Sequence, residues 1–171
     1  MRHLFTAIAA ATLLAAPALA QGAPPAPVAA PAGAYVSDKT HTTVEWQGLH
    51  NGLSWYSARF TDFDIQLTFD PADVTKSKVT ATIDPKSIET DYARTRPVGN
   101  TTDFNNELAT DARFFNAGKF PKITFTSTAV TKTGEKTGKV TGNLTFLGVT
   151  KPGTLATVTT RAPTSTRSAS S

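Results

Sequence analysis

The 171-residue sequence contains no cysteine. Disulfide bonds, cysteine metal sites and cysteine nucleophiles are therefore excluded, and stability must come from a hydrophobic core. Charged residues make up only 18% of the chain, and the formal net charge is +4. Because the basic residues are spread along the chain and form no clustered basic face, we expect no nucleic-acid partner.

Metal-binding residues are also scarce. Two histidines, His41 and His50, lie beyond the N-terminal leader. A zinc site formed with Asp38 or Glu45 would need three protein ligands, and the spacing of these residues is not that of a metal site. Turn or surface histidines are the favoured interpretation, and we predict no metal site.

Catalytic patterns are equally few. Asp62 and Asp64 flank Phe63 and point the same way, but solvated charges at a strand end are the expected role of such a pair. No serine lies in a nucleophile-elbow sequence. The sequence therefore predicts no catalytic residues.

Long apolar runs are confined to the N-terminus. A basic start, Met1–His3, precedes the alanine-rich segment Leu4–Pro17, and Ala18–Ala20 supplies small residues. This is the pattern of a secretory signal peptide over residues 1–20, cleaved after Ala20.

The rest of the chain divides into three parts. Residues 21–34 are rich in proline and alanine, which predicts an extended linker. Residues 35–160 carry the strand patterns and form the predicted domain. Residues 161–171 are rich in serine, threonine and arginine and are predicted to be a disordered polar tail.

Alternation of apolar and polar residues dominates the domain. In the segment after Pro121, residues Ile123, Phe125 and Ser127 share one face, with threonines on the other, as in a half-buried strand. An Asn51-Gly52 turn predicts a hairpin. Strands are predicted over 43–47, 53–63, 65–69, 78–83, 123–130, 139–147 and 154–160, and one or two short helices over 87–115.

About seven short strands and a small helical insert favour an antiparallel barrel or sandwich over a parallel α/β fold.

The order of motifs along residues 35–155 resembles the YceI-like domain. The motifs are Tyr35-x-x-Asp38-x-x-His41, Val44-x-Trp46, His50-Asn51-Gly52, Phe60-x-x-Phe63, Phe69-Asp70-Pro71, Ser87-Ile88-x-Thr90, Asn106-Glu107-Leu108, Phe114-Phe115-x-x-x-Lys119-Phe120-Pro121, Ile123-Thr124-Phe125 and Gly148-Val149-Thr150-Lys151-Pro152.

The resemblance implies a periplasmic, lipocalin-like antiparallel β-barrel that binds a long-chain isoprenoid or other amphiphilic lipid in a central cavity. It implies no enzyme activity and no cofactor besides the lipid. Members of the family continue with further strands after the Gly148–Pro152 turn. Here the apolar alternation ends at Leu155, so the barrel is either incomplete at its C-terminal end or closed in another way.

Two other functions remain open. One is a secreted hydrolase that acts on a lipid or amide in the same cavity, and the other is a structural β domain with a filled core. For a lipid carrier we expect transient contact with a membrane or membrane protein, and both a monomer and a homodimer are compatible with the sequence.

The expected lipid-binding residues are the apolar residues of the inward strand faces and of the helical insert. Three arginines, Arg59, Arg94 and Arg96, are candidates for holding an anionic head group because guanidinium groups suit such anions. Phe104, Leu108, Phe114 and Phe115 are expected at the mouth of the cavity. The full set of predicted lipid-binding residues is Val44, Trp46, Phe60, Ile65, Leu67, Phe69, Ile83, Phe104, Leu108, Phe114, Phe115, Phe125, Leu144 and Phe146.

Overall fold

The computed structural model describes residues 30–158. The predicted signal peptide over 1–20, most of the predicted linker (21–29) and the predicted tail over 161–171 lie outside this range and stay predictions. None of the helices in the described range is long and apolar enough to cross a membrane.

Nine strands, two short α-helices and two single 3-10 turns (Val74–Lys76 and Pro85–Ser87) make up the regular structure of residues 30–158. The strands are β1 (Gly33–Val36), β2 (Val44–His50), β3 (Ser54–Phe60), β4 (Phe63–Phe69), β5 (Lys78–Ile83), β6 (Ile88–Glu89), β7 (Ile123–Lys132), β8 (Thr137–Phe146) and β9 (Val149–Val158); the helices are α1 (Tyr92–Thr95) and α2 (Phe104–Thr110). All paired strands are antiparallel. The predicted mainly β, antiparallel fold with a short helical insert is confirmed.

The larger sheet has six strands in the order β1-β4-β5-β7-β8-β9. Its registers align the apolar residues of neighbouring strands, because Ile83 pairs with Ile123, and Phe125 pairs with both Ala81 and Leu144. Since cross-strand partners lie on the same side of a sheet, these residues define one apolar face. We call it the inner face of the larger sheet.

The smaller sheet has the order β2-β3-β6. Its inward residues pack with α2 and the start of β7 into a buried cluster that includes Phe60, Ile88, Leu108, Phe115 and Ile123. Within residues 30–158, β2 pairs only with β3 and β9 pairs only with β8, so the two sheets do not join into a closed barrel.

The predicted return strand over 53–63 is divided in the structure. β3 ends at Phe60 and β4 begins at Phe63, and the two residues between them carry the chain from the smaller sheet to the larger one. A hydrogen bond from the amide of Thr61 to the carbonyl oxygen of Ser87 (3.1 Å) holds this bend. Phe60 and Phe63 are both buried because the chain changes sheet, whereas residues three apart in one strand face opposite sides.

The last described strand begins earlier than predicted. A turn at Leu147 and Gly148, with φ of 49° and 74°, joins β8 directly to β9. Positive φ at both central residues is the geometry of a tight two-residue hairpin. The predicted strand start at Thr154 was therefore wrong, since β9 starts at Val149.

β9 accommodates Pro152 because this residue occupies a position whose backbone makes no hydrogen bond to β8. Counting from the Phe146–Val149 pair that closes the turn, Asn143–Pro152 is a non-hydrogen-bonded pair. The missing proline N–H would point away from β8, toward the outer side of a strand that has only one neighbour in the described range. The proline thus interrupts no hydrogen bond of the sheet within residues 30–158.

Candidate functional site

The β2–β3 hairpin forms one wall of a cavity. Its turn contains Asn51 and Gly52, with φ of 51° and 71°. The register pairs Trp46 with Ala58 and Gly48 with Tyr56, which sets the two large aromatic side chains on the same face. Sequence alternation indicates this face, but the cross-strand partners follow only from the turn length.

Gly48 allows the Trp46 indole to lie against the strand. A Cβ atom at position 48 would come within 2.9 Å of the Cζ3 atom of Trp46. The indole nitrogen Nε1 of Trp46 is buried and has no hydrogen-bond partner among the described residues.

Helix α2 forms the opposite wall. The Asp103 side chain accepts a hydrogen bond from the amide of Asn106 (3.0 Å) and so caps the first turn. Phe104 and Leu108 are one helical turn apart and share a face of α2. The ring of Phe104 lies edge-on to Tyr56, with 6.2 Å between ring centroids.

The segment after α2 places Phe115 at the centre of the site. The amide of Phe115 donates to the carbonyl oxygen of Leu108 (3.1 Å). The Phe115 ring is nearly buried, and its centroid lies 5.4 Å from Trp46, 5.5 Å from Phe60 and 5.7 Å from Phe146. One side chain therefore joins the smaller sheet, the helical insert and the larger sheet.

A cavity of about 620 Å³ lies between these elements. Its wall is mostly apolar and aromatic, with a few polar groups. Six predicted lipid-binding residues line it: Trp46, Phe104, Leu108, Phe114, Phe115 and Phe146. The other lining residues are Gly48, Leu49, His50, Ser54, Tyr56, Tyr92, Arg113 and Leu147.

The remaining predicted lipid-binding residues lie elsewhere in the fold. Val44, Phe60 and Ile83 belong to the hydrophobic core or pack against it. The others lie on the inner face of the larger sheet, outside the cavity wall: Ile65, Leu67, Phe69, Phe125 and Leu144.

Phe114 and Phe115, predicted together at a mouth, occupy different environments. Phe115 is 9% exposed and forms part of the core, whereas Phe114 is 36% exposed. The guanidinium carbon of Arg113 lies 5.4 Å from the centroid of the Phe114 ring, a cation–π contact. Phe114 is therefore a rim residue and Phe115 an interior one.

An ion-pair network holds Arg113 at the rim. Its Nη2 lies 2.8 Å from Asp111 Oδ2 and 3.2 Å from Glu107 Oε1. The hydrogen bonds from Arg113 lower the pKa of Asp111 to about 2. The same hydrogen bonds to Asp111 raise the pKa of Arg113.

The polar part of the wall was missed by sequence reasoning. His50 and Ser54 are cross-strand partners at the end of the hairpin. No hydrogen bond joins their side chains in the described range. Tyr92 accepts a hydrogen bond from Nδ2 of Asn100 (3.0 Å). The hairpin signal at Asn51-Gly52 could have placed His50 and Ser54 together, but nothing local connects Tyr92 to them.

The three arginines predicted to hold a head group do not line the cavity. Arg59 alternates with the inward residues of β3 and forms an ion pair with Glu89 (2.7 Å). Arg94 pairs with Asp91 (2.8 Å), and Arg96 donates to the carbonyl oxygen of a nearby loop residue. We therefore place no head-group role on these arginines.

His41 lies beside Asp38, one of the carboxylate candidates. Nδ1 of His41 lies 2.8 Å from Oδ2 of Asp38. Hydrogen bonds from Thr40, and to a smaller extent one from His41, lower the pKa of Asp38 to about 2. No group of three or more histidine or acidic side chains in residues 30–158 is placed to hold a metal ion.

Comparisons with known proteins agree with the resemblance seen in the sequence. The model of the YceI-like domain matches residues 35–170. Protein YceI of Salmonella arizonae is 40% identical over 126 residues, which cover 72% of this chain and 60% of that protein. The chain thus spans about 60% of the length of the curated relatives it matches.

Solved structures give the same assignment. The YCEI protein of Campylobacter jejuni is 34% identical, with a TM-score of 0.51 over 71% of this chain and 66% of that one. BcnA of Burkholderia cenocepacia is 26% identical, with a TM-score of 0.57 over 70% of this chain and 68% of that one. The chain therefore belongs to the YceI-like domain family.

Proposed function

We propose that this protein binds a long-chain isoprenoid or other amphiphilic lipid in the cavity between the β2–β3 hairpin, α2 and the end of β8. The observation that carries this proposal is the cavity of about 620 Å³ with its largely aromatic and aliphatic wall. Its volume is within the range of sites for small molecules. Membership of the YceI-like family is consistent with a binding protein.

The binding would be non-covalent. Apolar area removed from water contributes roughly 25 cal/mol per Å², so an alkyl or prenyl chain gains affinity with every group that enters. Polar groups at the wall, including His50, Tyr92 and Arg113, suit the polar end of an amphiphile. An apolar wall with a few polar groups is the usual composition of a ligand site.

The proposed role is to carry or sequester this lipid in the periplasm, without chemical change. The periplasmic location rests on the leader pattern of residues 1–20. Transient contact with a membrane or a membrane protein would load and unload the cavity. The alternative function is hydrolysis of a lipid or amide there, for which His50 and Ser54 would be the groups to test.

Native mass spectrometry of the full chain, exported to a bacterial periplasm, tests the proposal. We expect a native mass that exceeds the denatured mass by one lipid-sized increment. Phe114→Ser should reduce the occupied fraction, because Phe114 lines the cavity. The control Trp55→Ser removes an exposed aromatic residue that does not line the cavity and should leave occupancy unchanged.

A folded wild-type protein with no adduct, and with no uptake of added lipid, would overturn the proposal. Equal lipid occupancy in Phe114→Ser and Trp55→Ser would overturn the assignment of this cavity as the lipid-binding site. Conversion of an added fatty amide or ester to its hydrolysis products would favour the hydrolase.

A further inference from the structure

Lys151 is a charged residue on the apolar face that continues from the cavity. Lys151 pairs with Leu144, and Leu144 pairs with Phe125. Since cross-strand partners share a side of the sheet, Lys151 lies on the inner face of the larger sheet. Its outward neighbours in β9, Thr150 and Pro152, lie on the other side.

Lys151 is close to the cavity wall. Phe146 lines the cavity and pairs with Val149, two residues before Lys151 on the same face. This makes Phe146 and Lys151 diagonal neighbours, with backbones roughly 7–8 Å apart. The aliphatic stem of a lysine spans such a distance and can cover apolar surface while its ammonium group stays in water.

The charge of Lys151 has no counter-ion in residues 30–158. Arg59 and Arg113 are each held by carboxylates, but no carboxylate lies within ion-pair distance of the Lys151 ammonium in this part of the chain. Its neighbours Leu144, Phe146 and Val149 are apolar and exposed. Within residues 30–158, the surroundings of the ammonium group therefore combine an unpaired positive charge with exposed apolar residues.

An amphiphile with an acidic head group complements both features. The alkyl or prenyl chain would cover Leu144 and Phe146 on its way into the cavity, and the oxyanion would accept hydrogen bonds from the ammonium group. We propose that Lys151 binds the carboxylate or phosphate of an anionic lipid and gives the site a preference for acidic over neutral head groups. This inference rests on the proposed function.

A second lysine on the same face provides a matched control. Lys132 pairs with Gly138, so it shares the inner face, but Gly138 and Leu144 are six positions apart in β8. At roughly 3.3 Å per residue, Lys132 is about 20 Å from Lys151 along the sheet. Replacing it changes the same charge on the same face without touching the cavity end.

The test compares two lipid probes that have the same acyl chain, one with an anionic and one with a neutral head group. Binding of cis-parinaric acid and of its methyl ester is measured by fluorescence with the full chain, its Lys151→Met variant and its Lys132→Met variant. We expect the wild type to prefer the acid, and Lys151→Met to lose about three- to tenfold in affinity for the acid only. Lys132→Met should behave as the wild type, and Lys151→Arg should retain the preference.

Ionic strength gives an independent readout, because raising salt should reduce the preference for the acid. Competition by hexadecyl phosphate, compared with hexadecanol, shows whether a phosphate serves as well as a carboxylate. An unchanged preference in Lys151→Met, or a wild type that binds acid and ester equally, would overturn the role of Lys151 while leaving lipid binding intact. Binding of neither probe by the wild type would overturn the proposed function itself.

Discussion

Truncation of Phe115 to alanine tests whether this side chain, and not its neighbour Phe114, holds the two sheets and the helical insert together. The Phe115 ring is 9% exposed and contacts Trp46, Phe60 and Phe146 edge-on. The Phe114 ring is 36% exposed and lies at the rim of the cavity. The two adjacent positions differ in burial but not in residue type, so each variant is a control for the other.

The magnitudes follow from burial. A buried phenylalanine replaced by alanine costs about 3–5 kcal/mol, because transfer free energy is lost and a void remains. Full burial of a phenylalanine side chain contributes roughly 1.5–3 kcal/mol, so the partly exposed Phe114 should cost only about 1–2 kcal/mol. We therefore expect Phe115→Ala to be about 1–4 kcal/mol more destabilising than Phe114→Ala.

Urea unfolding followed by tryptophan fluorescence measures both variants, and unchanged m-values would show that the unfolded states are comparable. A Phe115→Leu variant extends the series if Phe115→Ala does not fold. Equal free energies of unfolding for Phe114→Ala and Phe115→Ala would refute the assignment of Phe115 to the core. A larger cost at Phe114 would refute it as well.

Two further predictions concern packing and charge. Gly142→Ala should lower the free energy of unfolding in urea by about 2–3 kcal/mol, because a Cβ atom at position 142 would overlap the Phe125 ring. Gly118→Ala should be nearly neutral, because a Cβ atom at position 118 would have no neighbouring atom within 4 Å. Equal effects of the two substitutions would contradict this packing. The Asp111 carboxyl should titrate near pH 2 by NMR and return toward 3.8 in Arg113→Gln. Because the pKa of Asp111 is lower in the folded than in the unfolded protein, the stabilisation from Asp111 is complete above about pH 4 and is lost as the pH falls toward 2. An ordinary pKa of Asp111 in the wild type would show that Arg113 does not hold this carboxylate.

Local patterns predicted much of the fold. Alternation indicated that Ile123 and Phe125 share one face, and Asn51-Gly52 indicated the first hairpin, because both signals depend on backbone geometry within a few residues. The same reasoning was wrong about the 53–63 segment, which is divided between two strands, and about the start of the last strand, which includes Pro152. In both cases the strand boundary depends on a neighbouring strand, which a local pattern does not contain.

The candidate site was only partly predictable for the same reason. Trp46 and Phe146 were expected inside because they are apolar residues on inward faces. Tyr92 and Arg113 join the wall through the helical insert, whose position relative to the hairpin is not encoded in any short segment. Phe114 and Phe115 carry the same local signal, and only their contacts with distant strands distinguish rim from core.

By itself, the sequence determined the antiparallel β class, the face on which most strand residues lie and the membership of the YceI-like family, since these follow from residue spacing and motif order. The tertiary structure alone decided which apolar residues fill the core and which surround the cavity. It also decided that Arg59 is held by Glu89, whereas Lys151 lies beside exposed apolar residues of β8 and β9. The physical reason is that burial and charge pairing depend on contacts between segments far apart in the chain, and these form only when the sheets and the helical insert pack together.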